Sequence, residues 1–188
     1  VELAEMRATT GEGSVRLEWQ TASEENNAGF AIERRSGSEG EWTEVGYEES
    51  AAEGGTTDRP QGYRFVDEDL PYEADRLEYR LRQEDVDGTT ETYGPVEVER
   101  RVEELALEKV YPSPASGQAT VRLAVPEQQE VRVELYDVLG RSVRTVAEGE
   151  MEGREEVRVD LGGLSSGTYF VRLRAEGEVK TRRLTVVQ

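Results

Sequence analysis

Histidine and cysteine are both missing from the 188 residues, and lysine occurs only twice, at Lys109 and Lys180. Without cysteine there is no disulfide framework, no thiolate nucleophile and no sulfur-ligated zinc. Without histidine there is no imidazole base, no Ser-His-Asp triad and no histidine-held metal. No apolar run approaches the ~20 residues that span a bilayer, so no transmembrane segment is expected. No signal peptide opens the chain and Val1 is not an initiator methionine, as expected for a piece of a longer precursor or a processed form. Charge, by contrast, is plentiful: 41 acidic and 23 basic residues give a net −18. That sign argues against nucleic acid as a partner, because phosphates need a basic footprint. Carboxylates, hydroxyls and arginines are all that remain for chemistry. The composition therefore predicts a non-enzyme, with no catalytic residues, no metal and no cofactor.

The charge is uneven. Val1 to Glu104 holds 28 acidic and 11 basic residues, whereas Leu105 to Gln188 holds 13 and 12. Such a step marks a domain boundary near residue 104, and ~100 residues is an ordinary domain length. The expected organisation is a first domain over residues 1–99, a linker over 100–104 and a second domain over 105–188.

Short alternating runs recur, and sustained helical periodicity is missing. Val15, Leu17 and Trp19 alternate with Arg16 and Glu18; Phe30 and Ile32 with Ala31 and Glu33; Leu77, Tyr79 and Leu81 with Glu78 and Arg80. Period two places apolar side chains on one face and charges on the other, as a half-buried antiparallel sheet requires. Leu3 with Met6, Trp42 with Val45, Tyr63 with Phe65, and Val96 with Val98 complete about seven strands. Residues 48–62, poor in apolar side chains, read as a long mobile loop. The second half repeats the design, with strands expected over 105–110, 119–125, 131–135, 143–146, 157–159, 169–173 and 179–187. The predicted fold is all-β: two tandem antiparallel β-sandwiches of about seven strands each, Ig-like or fibronectin III-like.

Glu24-Glu25-Asn26-Asn27 offers oxygen ligands of the kind Ca²⁺ prefers, but a polar turn is the favoured reading because no flanking ligand spacing supports a site. Asp85-Val86-Asp87-Gly88 resembles part of an EF-hand loop, yet aligning its glycine puts Gln83 and Gly94 at ligand positions, so a hairpin is expected. Trp19 lies in phase with the core residues. Trp42 follows a loop and is the one aromatic singled out for ligand contact.

Four ordered segments in the second half are more specific. They are Tyr111-Pro112-Ser113-Pro114 followed by Ala119-Thr120-Val121-Arg122-Leu123, Val133 to Arg141 (ending Tyr136-Asp137-Val138-Leu139-Gly140-Arg141), Gly163 to Leu173 (with Gly167, Tyr169 and Arg172), and Arg183-Leu184-Thr185-Val186-Val187. In this order they resemble the type A C-terminal sorting domain of the type IX secretion system, over about residues 105–188. One departure is Ser113, where the family usually has Asn between its two prolines. Asn26 to Arg34 and Tyr79 to Gly88 resemble the fibronectin type III-like module that often precedes that domain. Structurally, Pro112 and Pro114 would stop a strand, while Gly140 and Gly167 would sit at turns unsuited to a side chain.

The resemblance implies a sorting signal with Tyr111, Pro112, Pro114, Tyr136, Asp137, Gly140, Arg141, Gly167, Tyr169, Arg172 and Leu184 among its motif residues. It implies as partners the outer-membrane secretion machinery and a sortase-like peptidase, and an upstream passenger that travels through the periplasm to the cell surface or medium. Arg100, Arg101, Val102 and Glu103 form the candidate cleavage linker. Two other classes of function are open: a carbohydrate-binding or adhesion module using the first sandwich, and, more weakly, an ancillary fragment of a secreted hydrolase. Scarce lysine beside abundant arginine and acid suggests adaptation to salt.

Overall fold

The computed structural model describes residues 1–11 and 13–188. It is all-β and antiparallel throughout its named strand pairs, and it divides into two compact units, Val1–Arg100 and Arg101–Gln188.

In the first unit, alternation builds β1 (Glu2–Thr10), β2 (Val15–Ser23), β3 (Asn27–Ser36), β4 (Thr43–Glu49), β5 (Gln61–Asp67), β6 (Arg76–Asp85) and β7 (Thr90–Glu99). They form a three-stranded sheet, β1-β2-β5, and a four-stranded sheet, β4-β3-β6-β7. Val15, Leu17 and Trp19 from one sheet and Phe30, Ile32, Leu77, Tyr79 and Leu81 from the other share one buried cluster. Each such side chain contributes about 1.5–3 kcal/mol of transfer free energy. Trp19 stacks on Tyr63 with ring centroids 5.3 Å apart and meets Phe30 edge-on at 5.6 Å. The segment between β4 and β5 is not the free loop its composition suggests. A 3₁₀ turn at Glu53–Gly55, a bridge between Glu24 and Thr57, and the bond from the Ala51 amide to the Tyr63 hydroxyl (3.0 Å) tie it down.

The second unit contains β8 (Ala106–Tyr111), β9 (Gln118–Tyr136), β10 (Ser142–Asp160), β11 (Gly167–Ala175) and β12 (Glu178–Val186). The order is β10-β9-β11-β12, with β8 also on β9. Two pairs of expected strands are thus fused: 119–125 with 131–135 in β9, and 143–146 with 157–159 in β10. Pro126 suggests a break, since it cannot donate to a ladder. Instead it lies in a bulge, because Val125 pairs with Gly153 and Gln129 with Met151, leaving three residues of β9 opposite Glu152. Gly153 takes φ +75° there, a value that favours glycine. The early half of β9 (Val121, Leu123) and its late half (Val133, Leu135) join one buried cluster with Val171, Leu173, Leu184 and Val186. The long hairpin therefore folds over on itself and supplies both faces of one core.

Candidate functional site

The strand ends of the second unit bring the four motif segments together. Gln118 pairs with Asp160, Tyr111 with Thr120, Tyr136 with Phe170 and Gly167 with Val186. The connections between these ends are stitched by hydrogen bonds. The Ala115 amide donates to the Thr185 carbonyl (2.8 Å), the Val187 amide to the Ala115 carbonyl (2.9 Å) and the Leu161 amide to the Gly117 carbonyl (2.7 Å). The Thr185 amide donates to the Ser113 hydroxyl (3.2 Å), and the Gln188 amide to that of Ser166 (3.0 Å). Arg144, near the start of β10, donates to the carbonyls of Asp160 and Gly162. Residues far apart in sequence thereby share one end of the unit.

The motif residues divide by burial. Leu184, Tyr136 and Tyr169 are core or near-core groups, and the Tyr169 hydroxyl donates to the Ser165 carbonyl at 3.0 Å. Pro112, Pro114, Gly140 and Arg141 are exposed. Tyr111 donates to Glu156 at 2.9 Å, and Arg122, which also donates to Glu156, lies 5.0 Å from the Tyr111 ring. The peptide bonds before Pro112 and Pro114 are cis. Gly140 has φ +76°. Gly167 departs from the expectation: it opens β11 without a left-handed backbone, and a Cβ there would meet neighbours only at 4.0 Å.

The β9–β10 turn is closed by Asp137. Its Oδ1 accepts the amides of Leu139 (2.9 Å) and Arg141 (3.0 Å), and its Oδ2 accepts Arg141 Nε at 2.7 Å. The Gly140 amide reaches the Asp137 carbonyl, and the Asp137 amide reaches the Arg141 carbonyl, both at 3.0 Å. These bonds, led by that from the Arg141 amide, hold the Asp137 carboxyl below its ordinary pKa. Behind the turn, Glu134 accepts from the Tyr136 hydroxyl (2.7 Å) and from Ser142 (3.1 Å). The Tyr136 bond foremost keeps its carboxyl ionised to lower pH than usual. The Arg172 guanidinium lies 4.3 Å from the Tyr136 ring centroid.

Elsewhere, the singled-out residues have structural partners. Glu24 is buried and accepts from Thr21 (2.8 Å), Asn27 (2.8 Å), Ser50 (2.6 Å) and Tyr63 (2.6 Å). Burial raises its pKa, yet the four bonds outweigh burial and leave it below the ordinary value. Burial and the bond to Glu24 push Tyr63 up to about 12. The sequence offers no signal for this network, in which Glu24 meets a partner 39 residues away. Asp85 to Thr89 forms the β6–β7 turn, with the Asp85 amide on the Thr89 carbonyl at 2.8 Å. Trp42 has the guanidinium groups of Arg35 and Arg80 over its ring at 4.6 and 4.3 Å. In the linker, Arg100 is anchored to the first unit through the carbonyls of Asp75, Pro71 and Ala74. Arg101, Val102 and Glu103 have no regular secondary structure.

Among the described residues, no helix is long and apolar enough to cross a membrane. No curated protein matches the chain. Among solved structures, dimeric latent PorU from Porphyromonas gingivalis is 15% identical, with a TM-score of 0.37, over 99% of this chain and 20% of that one. The BSP domain of a biofilm associated protein is 15% identical, with a TM-score of 0.33, over 99% of this chain and 30% of that one. The chain thus spans less than a third of either. Residues 109–187, the region in which the four segments meet, match the family model described as a secretion system C-terminal sorting domain.

Proposed function

We propose that this chain is the non-catalytic C-terminal region of a larger exported protein, in which the second unit is a type IX sorting signal and the first is a fibronectin type III-like spacer. The match of residues 109–187 to the sorting-domain model carries the reading, and the convergence of the quoted segments at one end of that unit supports it. Machinery that reads a folded cargo needs a surface built from fixed loops, and turns held by a rigid sandwich provide one. The passenger lies upstream, crosses the periplasm and reaches the cell surface or medium through the outer-membrane machinery. The first sandwich holds the sorting unit away from the passenger; its seven strands, divided three and four, support the fibronectin type III-like fold. A sortase-like peptidase acts in Arg101–Glu103, where the backbone belongs to neither sheet.

Deleting residues 101–188 from the precursor tests the reading. Passenger is then expected in the periplasm and not at the surface, by fractionation and surface labelling. Undiminished display after the deletion would rule the sorting role out. Mass spectrometry of the exported passenger is expected to find a new C-terminus within residues 100–104.

A further inference from the structure

Two features beside the Asp137 turn are not explained by folding. The first is its tip. Val138 and Leu139 are 66% and 73% exposed, although turns ordinarily carry Gly, Pro, Asn, Asp or Ser. The bonds to Asp137 fix their backbone, so two adjacent aliphatic side chains are presented to solvent from one backbone conformation. Such preorganisation lowers the entropy cost of docking.

The second feature is the outer face of the adjoining strands. Tyr136 pairs with Phe170, and Phe170 with Arg183, in the last row before the tip. Arg172 and Arg174 follow on β11 at the two-residue spacing that keeps them on this face. Arg174 sits directly opposite Arg132, whose own guanidinium is paired with Glu134 and Glu148. Arg172 Nε is buried without an acceptor, which leaves a donor unmet. Among the described residues Arg174 and Arg183, both exposed, form no ion pair, in a chain with 41 carboxylates.

Building on the sorting reading, we propose that Val138 and Leu139, with Arg172, Arg174 and Arg183, form the surface by which the second unit docks onto an acidic protein partner of the export machinery, the aliphatic tip entering an apolar pocket. Charge complementarity selects this occupant. Glu134, the carboxylate opposite Arg172 on this face, already accepts from Tyr136 and Ser142. Exposed arginines beside an apolar anchor, the composition of an interface centre, are thus left for carboxylates on the partner to pair with Arg174 and Arg183.

The test uses residues 1–188 fused behind a periplasm-directed fluorescent reporter in a bacterium with type IX export. Val138→Asp with Leu139→Asp, and separately Arg174→Glu with Arg183→Glu, are expected to cut surface fluorescence by about tenfold or more, with the reporter held in the periplasm. The purified variants keep the parental circular dichroism and melting temperature. If the aspartate pair lowers the melting temperature, Val138→Ser with Leu139→Ser decides in its place. A deletion of residues 101–188 runs in parallel. Surface reporter after the deletion overturns the sorting reading itself. A deletion that traps the reporter, beside variants displayed at parental levels, overturns the docking surface and leaves the sorting reading standing. Binding of the purified chain to phosphatidylglycerol vesicles that is lost in Arg174→Glu with Arg183→Glu also overturns it, and assigns the arginines to a lipid surface.

Discussion

On the outer face of β3 and β6 in the first unit, Arg35 reaches Glu78 at 2.6 Å, Arg80 reaches Glu33 at 2.6 Å, and Arg82 is shared among Glu33, Glu44 and Glu84. On the outer face of β11 and β12 in the second unit, Arg174 and Arg183 meet no carboxylate at ion-pair distance among the described residues. Arginine thus ties neighbouring strands together across β3 and β6, and across β9 and β10 at Arg122–Glu156 and Arg132–Glu148, whereas Arg174 and Arg183 on β11 and β12 face outward without such a pair. The acidic excess of the first unit is therefore not simply a solvated shell, because part of it is consumed in a cross-strand network of planar, multidentate pairs. The near-neutral second unit leaves part of its positive charge unspent. Net charge alone says where a domain is acidic; only the pairing says which charges are available to a partner.

The largest expected effect tests how far the first unit depends on internal polar pairing. Glu24→Gln presents an amide to Asn27 and to three hydroxyls that now donate to a carboxylate, and is expected to cost about 1–3 kcal/mol in urea unfolding. Trp19 and Trp42 are the only tryptophans, so fluorescence follows this unit alone. An unchanged midpoint would show the network to be dispensable.

Next in size is the arginine contrast itself. Arg82→Met removes three pairings while keeping an apolar stem, at an expected cost of about 1 kcal/mol. Arg174→Met and Arg183→Met are expected to stay within about 0.5 kcal/mol of the parent. Equal costs by chemical denaturation would erase the distinction between the units.

Acid should weaken the first unit through its hydrogen-bonded carboxylates. The folded-state pKa of Glu24 lies below its reference value of 4.5. Its stabilisation is therefore complete above that value and is lost as pH falls through the lower folded one. Glu33 behaves alike, since the bonds from Arg82 and Arg80 outweigh burial. Tryptophan fluorescence is expected to report loss of the first unit's stability below about pH 4.5, with less of this acid sensitivity in Glu24→Gln.

The smallest effect is the response to salt. Screening relieves the self-repulsion of residues 1–100 but also weakens its ion pairs. We expect the relief to prevail, so the melting temperature from tryptophan fluorescence rises with NaCl. The transition of the second unit, followed by circular dichroism and calorimetry, should shift less. Equal shifts would remove salt adaptation as the reason for the composition.

Period-two alternation alone is enough to place Val15, Leu17, Trp19, Leu77, Tyr79 and Leu81 on a buried face, because strand geometry leaves adjacent side chains no common side. The ordered segments after Tyr111 are equally legible. What cannot be read from the sequence is long-range. Pro126 has the character of a strand end, and only the pairing of Val125 with Gly153 and Gln129 with Met151 shows β9 continuing past it. Glu24 has the character of a turn residue until the fold brings Ser50 and Tyr63 to it. The tip at Val138 and Leu139 stands inside a motif segment, yet its exposure follows from the turn that Asp137 closes.

The sequence by itself determined the all-β class, most of the core and the absence of thiol and imidazole chemistry, since these depend on residue identity and local spacing. The tertiary structure decided which charges are paired, where the four segments converge and which apolar side chains remain uncovered. Those depend on contacts between residues tens of positions apart, whose partners are selected by sheet register and by the bend in β9.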